Sequence, residues 1–420
     1  MIGNGFDLAH GLPTGYCDFI KDYWNTLAHK IFGPGASRKY SDGLVNFDCD
    51  YHGGLCTSSS EWKKESWAEI DDFLKHDGYK SVIAFESNLF MWINQAIQME
   101  NWVDVENEYY GFLKGIFINT KYSKRLYDDP KKLNSDLGTI KNKLVDYLKK
   151  INDQITPELV QYPIRDIIYG QINVDDISVN GRGVFEQWLA ERWTMLRSEA
   201  DVDMFMQKYN DSDAKIILSS NTFYKKSTKS LEEHKRKIFQ KGCLIPLCYL
   251  LPDQILLLNF NYTKTANQYR SFNQLCKVNH IHGELGNDNN PIIFGYGDEL
   301  DEDYKSIANL NDNEYLKNIK SIRYLETDNY RQLLRFIDSA PYQIYVMGHS
   351  CGNSDRTLLN TLFEHRNCLS IKPYYHKKAD GTDNYIDIVQ NISRDFNDMT
   401  LMRDRVVNKG YCRPLVEPTH

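Results

Sequence analysis

An amide and an imidazole follow two short predicted strands between residues 254 and 283, and together they could serve acid–base chemistry. Asn261 comes soon after the run Ile255–Leu258, and His282 comes directly after the run Cys276–Ile281. An asparagine amide both donates and accepts hydrogen bonds, and histidine exchanges a proton near neutral pH. Each residue alone has a structural alternative, a helix cap for Asn261 and an ordinary turn histidine for His282. Taken with the loops below, the pair is a candidate catalytic site.

A glycine-rich turn near the start of the chain is a candidate anion-binding loop. Glycines at positions 3 and 5 allow a tight turn, and backbone amides there could hold a phosphate beside a helix N-terminus. A Gly-x-Gly pair is also common in ordinary strand-to-helix turns, so the pattern alone is weakly specific. The candidate nucleotide-binding residues in this turn are Gly3, Asn4, Gly5, Phe6 and Asp7.

Few residues precede this turn. A turn of this kind usually follows a strand of about five residues, whereas only Met1 and Ile2 come before Gly3. Either the strand is a stub or translation starts further upstream. We expect that upstream residues, if any exist in frame, raise stability or ligand affinity when they are added.

The segment Gly348–Gly352 reads Gly-His-Ser-Cys-Gly and matches the Gly-x-Ser-x-Gly pattern of serine hydrolases. In that fold an acid and then a histidine follow the serine along the chain. His376 precedes Asp380 and Asp383, which breaks this order, and His420 ends a polar tail. The pattern therefore does not favour a serine hydrolase.

We favour a nucleotide-contact loop for the same segment. In this interpretation Gly348 and Ser350 contact the nucleotide, and Asp355 caps the next helix. Gly295 ends another short apolar run and is a further candidate nucleotide contact. The Gly3–Asp7 turn, the loop at Gly295 and the loop Gly348–Ser350 are expected to converge at one edge of a sheet. Asn261 and His282 are expected at the same edge.

Two other charged stretches are interpreted mainly as solvated surface. Asp104 and Glu106 lie two residues apart, so on a helix they diverge, and acids at a helix start are favoured by the helix dipole. A metal site there is less favoured. The basic stretch Lys225–Lys237 is usually a solvated helix face in an acidic protein, with contact to RNA as the minor alternative.

The alternation of apolar runs with helical stretches predicts an α/β fold with an open, mainly parallel sheet. The predicted domains are a core from residues 1–15 and 211–400, a mainly helical insertion from 16 to 210, and a tail from 401 to 420. The predicted strands of the core are Ile255–Leu258, Val278–Ile281, Ile292–Phe294, Tyr342–Met347 and Leu369–Tyr375.

Composition limits the class of protein. The chain has 420 residues, of which 41% are hydrophobic and 13% aromatic, which excludes a disordered chain. Its net charge of -7 disfavours duplex DNA as a partner. The sequence contains no run of 18 apolar residues, so no membrane span is predicted. Nine cysteines without a Cys-x-x-Cys pair predict reduced thiols, a cytoplasmic location and no structural metal.

The loops together resemble the AbiH family of bacteriophage abortive-infection proteins. The shared motifs occur in the family's order over nearly the whole chain, and they imply defence against phage by disabling the infected cell. They are Gly3–Leu8 with Gly11–Tyr16, Trp102-x-Asp104-x-Glu106, Asn259–Thr263, His280–Gly283, Ile293–Gly295 and Gly348-His349-Ser350-x-Gly352-x-x-Asp355.

The same loops are similar, more distantly, to the sirtuin-type NAD-binding fold, which implies a Rossmann-like core. Asn261 falls at the asparagine shared by that fold, but Asp7 replaces its serine and Thr263 replaces an aspartate. The zinc ribbon that follows the His-Gly pair there has no counterpart between Gly283 and Phe294. This resemblance implies destruction of NAD rather than peptide deacylation.

The resemblances imply a phage-defence effector that binds and hydrolyses NAD or a related nucleotide, with Asn261 and His282 as catalytic residues. NAD would be ligand or substrate, without a prosthetic group. The alternatives are a sensor that binds a nucleotide without turnover and an RNA-directed toxin. The expected partners are the nucleotide, a phage-derived trigger and a second copy of the chain; a membrane is not expected, and nucleic acid is disfavoured.

Overall fold

The structure is a computed structural model of the chain. It describes residues 1–32, 39–48, 63–76, 83–100, 104–118, 126–196, 198–206, 230–239, 247–272 and 275–417. The chain divides into two compact units. The first contains Met1–Gly11, Ile155–Ile292 and Tyr324–His420, and the second contains Leu12–Gln154 and Ile293–Arg323. The division predicted from the sequence, at residues 15, 210 and 400, stays a prediction.

The described residues are mainly helical. The helices are α1 (Asn4–Ala9), α2 (Tyr16–Phe32), α3 (Trp67–His76), α4 (Asn88–Glu100), α5 (Val105–Ile118), α6 (Pro130–Asn152), α7 (Tyr162–Ile168), α8 (Arg182–Met195), α9 (Glu199–Met206), α10 (Leu231–Ile238), α11 (Leu247–Leu250), α12 (Glu302–Ala308), α13 (Lys320–Arg323), α14 (Asn329–Ser339), α15 (Arg356–Phe363), α16 (Tyr385–Arg394) and α17 (Met399–Arg405). The strands are β1 (Lys39–Ser41), β2 (Val45–Asp48), β3 (Ile83–Phe85), β4 (Ile255–Asn259), β5 (Cys276–His280), β6 (Tyr342–Met347) and β7 (Cys368–Tyr374).

The strands of the first unit form two parallel pairs. Strand β4 pairs with β5 from Ile255↔Cys276 to Asn259↔His280, and β6 pairs with β7. Ile2 makes one parallel bridge to Asn259 and another to Met347, which links both pairs to the start of the chain. The ends of β4, β5 and β6 therefore lie near the Gly3–Gly5 turn.

The prediction of a large, mainly parallel, Rossmann-like sheet is wrong. The described residues contain only sheets of two or three strands, and Ile292–Phe294 is not a strand. Two physical reasons are visible. A single residue, Ile2, lies between β4 and β6, so their pairing is not continuous. The run Ile292–Phe294 is short and follows Pro291, which has no N–H to donate.

The second unit combines helices with a small antiparallel sheet in the order β1–β2–β3. Helix α2 is amphipathic. Its residues Phe19, Tyr23, Leu27 and Ile31 recur every four positions, so they share one face, and all are buried. Helix α6 begins after Asp129, whose side chain accepts a hydrogen bond from the Lys131 N–H.

No helix in the described part of the chain is both long enough and apolar enough to cross a membrane.

Candidate functional site

The Gly3–Gly5 turn crosses the loop that follows β6, and the two backbones are in direct contact. The Gly3 N–H donates to Met347 O at 3.2 Å, and the Gly5 N–H donates to Gly348 O at 2.8 Å. A Cβ on Gly3 would lie 2.5 Å from the Cα of His349. Gly348 has φ +70°, and a Cβ there would lie 2.1 Å from the Phe6 nitrogen. Close approach of two backbones therefore explains these glycines.

The amides of this turn are largely used within the protein. The N–H groups of Gly3 and Gly5 donate to the β6 side, and the Phe6 N–H donates to Gly3 O at 2.9 Å. A phosphate bound here would have to compete with these carbonyl acceptors. The nucleotide-binding role of Gly3, Asn4, Gly5, Phe6 and Asp7 stays a prediction.

Asp7 is buried beneath the turn. The Thr263 hydroxyl donates to its Oδ2 at 2.6 Å, and its Oδ1 is buried without a hydrogen-bond partner among the described residues. Burial raises the pKa of Asp7 to about 6, although the hydrogen bond from Thr263 opposes the shift. Asp7 therefore changes charge close to neutral pH.

Asn261 is brought to the same turn. Its side-chain Nδ2 donates to Gly3 O at 3.0 Å, and its backbone N–H donates to the side chain of Asn259 at 3.1 Å. The side chain of Asn261 is half-buried. The structure thus places one predicted catalytic residue, Asn261, directly on the predicted nucleotide-binding turn.

His282 lies in a buried polar cluster at the ends of β5 and β6. Its Nε2 is 3.1 Å from Asp355 Oδ1 and 3.1 Å from the Tyr324 hydroxyl. The ring of Phe260 meets His282 edge-on, with centroids 5.0 Å apart. Gly283 follows with φ +91°, and a Cβ there would lie 2.3 Å from Pro291 O, so the chain after His282 requires glycine.

His349 faces the other oxygen of the same carboxylate. Its Nε2 is 3.6 Å from Asp355 Oδ2, and its Nδ1 accepts a hydrogen bond from the Cys351 N–H at 2.9 Å. An Nδ1 that accepts carries no proton, so the proton of neutral His349 is assigned to Nε2, which faces Asp355. Phe260 packs against this ring as well, at 4.1 Å between centroids.

This arrangement, here called the His282–Asp355 cluster, comprises His282, His349, Tyr324, Asp355 and the covering ring of Phe260. All five side chains are buried. A carboxylate beside an imidazole holds the ring in place and stabilises the imidazolium that forms when it accepts a proton. The cluster can therefore support general base catalysis.

Comparison with known families gives a match over most of the chain. The model of the family described as "Bacteriophage abortive infection AbiH" matches residues 1–376. The chain belongs to the AbiH family. This membership supports a role in bacteriophage abortive infection.

The other comparisons give no match to this AbiH chain. No curated protein matched it, and no solved structure matched it. The resemblance to the sirtuin-type fold is therefore not shown.

The AbiH motif around Gly348 contributes different residues from those predicted. Ser350 is exposed, and its carbonyl accepts a hydrogen bond from Asn391 at 2.8 Å. The strained backbone of this loop is at Cys351, with φ 54°, whereas a nucleophile elbow places the serine itself at the strained position. Burial raises the pKa of the Cys351 thiol well above its ordinary value.

Sequence reasoning missed the roles of His349, Asp355 and Tyr324. Asp355 was predicted to cap the next helix, and it does occupy the N-cap position of α15, but its side chain makes no capping hydrogen bond. The spacing His349-x5-Asp355 within the motif was the available signal. Tyr324 lies in a segment without a motif, so no pattern pointed to it.

The Trp102-x-Asp104-x-Glu106 motif lies partly outside the described residues, which begin again at Asp104. Asp104 accepts hydrogen bonds from the backbone N–H groups of Glu106 and Asn107, so it caps α5. Glu106 is not solvated as expected. It accepts from the Gly295 N–H at 2.9 Å and from the buried Lys320 ammonium at 2.8 Å.

Two further predictions concern binding sites outside the His282–Asp355 cluster. Gly295 lies in the second unit, and its role as a nucleotide contact stays a prediction. The basic stretch Lys225–Lys237 is described only from residue 230 onward, and α10 begins at Leu231. Within the described ranges, no group of three His, Cys, Asp or Glu is arranged to hold a metal ion.

Proposed function

We propose that this AbiH chain acts in abortive infection by hydrolysing a nucleotide at the His282–Asp355 cluster. The observation that carries the proposal is the 3.1 Å separation of His282 Nε2 and Asp355 Oδ1 inside a buried site. A histidine held by a carboxylate is the usual means of activating water for hydrolysis. Family membership supports the biological setting of the reaction.

The proposed substrate is NAD, and its nicotinamide–ribose bond is the one broken. His282 takes a proton from water, the hydroxide oxygen forms a bond to C1′ of the ribose, and nicotinamide leaves with the electron pair of the broken bond. Asp355 stabilises the imidazolium during this step. The products are nicotinamide and ADP-ribose. The choice of NAD is supported by the likeness of the loops described from the sequence.

Further contacts are proposed for the sugar and the phosphates. Asn261 would contact the ribose, because its amide can donate and accept and its side chain lies beside Gly3. Gly348 and Ser350 would contact the adenosine half of the nucleotide. The Gly3–Asp7 turn completes the proposed nucleotide-binding residues of the first unit, and no prosthetic group is involved.

A cytoplasmic location, a phage-derived trigger and a homo-oligomer belong to the same proposal. The described cysteines are free thiols, which supports a reducing compartment. A trigger fits an enzyme that destroys a metabolite needed by its own cell, because such activity must be silent before infection.

The test compares His282→Gln with the wild type. We expect infected cells with the wild type to lose NAD and accumulate nicotinamide and ADP-ribose, measured by mass spectrometry of cell extracts. Loss of a general base typically lowers the rate about 10²–10⁴-fold, so His282→Gln should leave NAD unchanged. The matched control is His376→Gln, because His376 is exposed.

Unchanged NAD with preserved phage protection by the wild type would contradict NAD hydrolysis. A change in the level of another nucleotide would then keep the His282–Asp355 cluster as the proposed site and identify that nucleotide as the substrate. No nucleotide change would favour the sensor or the RNA-directed toxin.

A further inference from the structure

The loop after β6 directs one residue into the His282–Asp355 cluster and the next residue toward solvent. His349 is buried, with its Nε2 facing Asp355, whereas Ser350 is exposed. The backbone then turns at Cys351, whose φ of 54° is in the left-handed region. A ligand at the outer edge of the cluster therefore meets Ser350 and the side chains that are held beside it.

One such side chain, Asn391 of α16, joins this loop to an arginine. The Asn391 Nδ2 donates to Ser350 O at 2.8 Å, and the Asn391 Oδ1 accepts from Arg394 Nη1 at 2.5 Å. Asn391 and Arg394 lie three residues apart on the helix, so they share one face of it. The guanidinium of Arg394 is thereby held near the loop after β6, although it is exposed.

The Arg394 guanidinium keeps donors that a ligand can use. Arginine carries five N–H donors, and the hydrogen bond to Asn391 occupies one of them. Among the residues that the structure describes, no carboxylate pairs with this guanidinium. The planar fork of arginine matches the spacing of phosphate oxygens, which it can bind through two parallel N–H groups. The chemistry of this position therefore suits a phosphate.

The glycine turn is less suited to hold a phosphate. The N–H groups of Gly3, Gly5 and Phe6 already donate to carbonyl oxygens. A phosphate there would have to replace these hydrogen bonds. Arg394, in contrast, can bind a phosphate and keep its hydrogen bond to Asn391. The negative charge of a nucleotide at this site is therefore better matched by Arg394 than by the turn.

We propose that Arg394 binds the pyrophosphate of the nucleotide, while Ser350 contacts the sugar beside it. The inference rests on the proposed function, because it takes a nucleotide as the ligand of the His282–Asp355 cluster. Arg394 donates charge-assisted hydrogen bonds to the phosphate oxygens. Asn391 is a positioning residue, since it holds the guanidinium next to the loop. The ligand class is a nucleotide with two linked phosphates.

The test measures how purified protein binds ADP-ribose, which contains the pyrophosphate, by calorimetry. Arg394→Gln should weaken binding about tenfold, because it removes charge-assisted hydrogen bonds. Asn391→Leu should weaken binding about threefold, since it keeps the charge but releases the guanidinium from the loop. The matched control is Arg403→Gln, which removes the same charge from an exposed residue of α17 and should leave the affinity unchanged.

Salt concentration separates a phosphate contact from a structural role of Arg394. Between about 50 and about 500 mM NaCl, the affinity of the wild type should fall toward that of Arg394→Gln, because ions screen an exposed charge. A structural role would give a loss of affinity that does not depend on salt. Such a loss would overturn the inference, as would an equal loss in Arg403→Gln or no binding of ADP-ribose by the wild type.

The measurement of NAD in infected cells fails or succeeds separately from this test. Loss of NAD together with equal affinity for ADP-ribose in the wild type and Arg394→Gln would overturn the role of Arg394 and retain hydrolysis. Weaker, salt-dependent binding in Arg394→Gln without loss of NAD would retain the phosphate contact and contradict NAD hydrolysis.

Discussion

At the scale of single residues, glycine is required at Gly348 for two separate reasons. Its φ of +70° is unfavourable for other residues, and the Phe6 nitrogen occupies the space where a Cβ would be. Gly381 has a similar φ of +86°, but nothing lies within 4 Å of its Cβ position. Comparing the two glycines therefore separates the cost of a left-handed backbone from the cost of placing a Cβ where two backbones are in contact.

The first prediction compares alanine at these two glycines. Gly381→Ala should lower the free energy of unfolding by about 1–2 kcal/mol, the cost of a left-handed alanine. Gly348→Ala should add the cost of displacing the Gly3–Gly5 turn, about 1–3 kcal/mol more. Urea unfolding of both variants measures the difference. Equal losses would show that the two loops separate freely, contrary to their direct contact.

A second prediction concerns the pH dependence of stability due to Asp7. Its pKa in the folded protein, about 6, lies above its ordinary value of 3.8. The folded state therefore holds a proton that the unfolded state releases, so this group's contribution to stability falls as pH rises from about 4 to 6. Asp7→Asn removes the charge, so its stability relative to the wild type should increase over this range, by at most about 3 kcal/mol.

The comparison of the two proteins isolates Asp7 from other titrating groups. Burial lowers the pKa of the Met1 amino group to about 5, which acts with the opposite sign between pH 5 and 8, but equally in both proteins. Urea unfolding at pH 4.5 and pH 7.5 provides the measurement. Thr263→Val is the matched control. It removes a donor to the charged carboxylate, so its free energy of unfolding should fall more steeply with rising pH than that of the wild type. A constant difference between Asp7→Asn and the wild type would contradict the assignment.

At the scale of secondary-structure elements, short apolar-rich runs correctly predicted strands but did not predict how those strands assemble into a sheet. The predictions of strands at Ile255–Leu258, Tyr342–Met347 and Leu369–Tyr375 are confirmed, with ends shifted by at most one residue. Such runs are too short for typical amphipathic helices and show no helical stripe, so they indicate strands. The antiparallel sheet β1–β2–β3 was missed, because its strands have only three or four residues each.

A third prediction concerns the buried ion pair that joins α5 to the start of α13. Lys320 is fully buried, and its ammonium pairs with Glu106, which also accepts from the Gly295 N–H. Glu106→Gln leaves a buried ammonium without this counter-charge, so it should lower stability by about 3 kcal/mol. The double variant Glu106→Gln/Lys320→Met should recover part of this loss, because the buried charge is then gone.

The matched control for this pair is Asp301→Asn. Lys114 and Asp301 are separated by 3.1 Å, but their side chains are 31% and 18% exposed. A partly exposed pair is worth about 1 kcal/mol or less. Thermal unfolding of the four proteins provides the comparison. A loss in Glu106→Gln no larger than in Asp301→Asn would show that Lys320 is stabilised without Glu106.

At the scale of the whole molecule, the sequence predicted the family and part of the site but not the architecture. The order of motifs from Gly3 to Asp355 identified the AbiH family, which the family match confirms. Two of the motifs, at His282 and at Gly348–Asp355, do meet in space. The large sheet was wrong because sheet assembly depends on residues between the strands, and here only Ile2 links the two pairs.

The roles within the site could not be assigned from the sequence for a related reason. A motif shows which loop is special, but the direction of each side chain depends on the local backbone. In the loop after β6, Ser350 is exposed while His349 is buried against Asp355. Residue type alone therefore favoured Ser350 over His349 as a functional residue.

The last prediction addresses abortive infection as a property of a cell population. The chain should protect a culture when phages are far fewer than cells, because the first infected cells stop growing before phage is released. It should not protect when phages outnumber cells, because every cell is then infected and disabled.

Asp355→Asn should abolish protection at low phage numbers, since it removes the charge that faces both His282 and His349. Asp338→Asn is the matched control, because Asp338 is exposed and pairs with His365 outside the cluster. Growth curves at low and high phage numbers, with protein levels checked by immunoblot, provide the measurement. Survival of the culture when phages outnumber cells would contradict abortive infection. Full protection by Asp355→Asn at normal protein levels would remove the His282–Asp355 cluster from the defence mechanism.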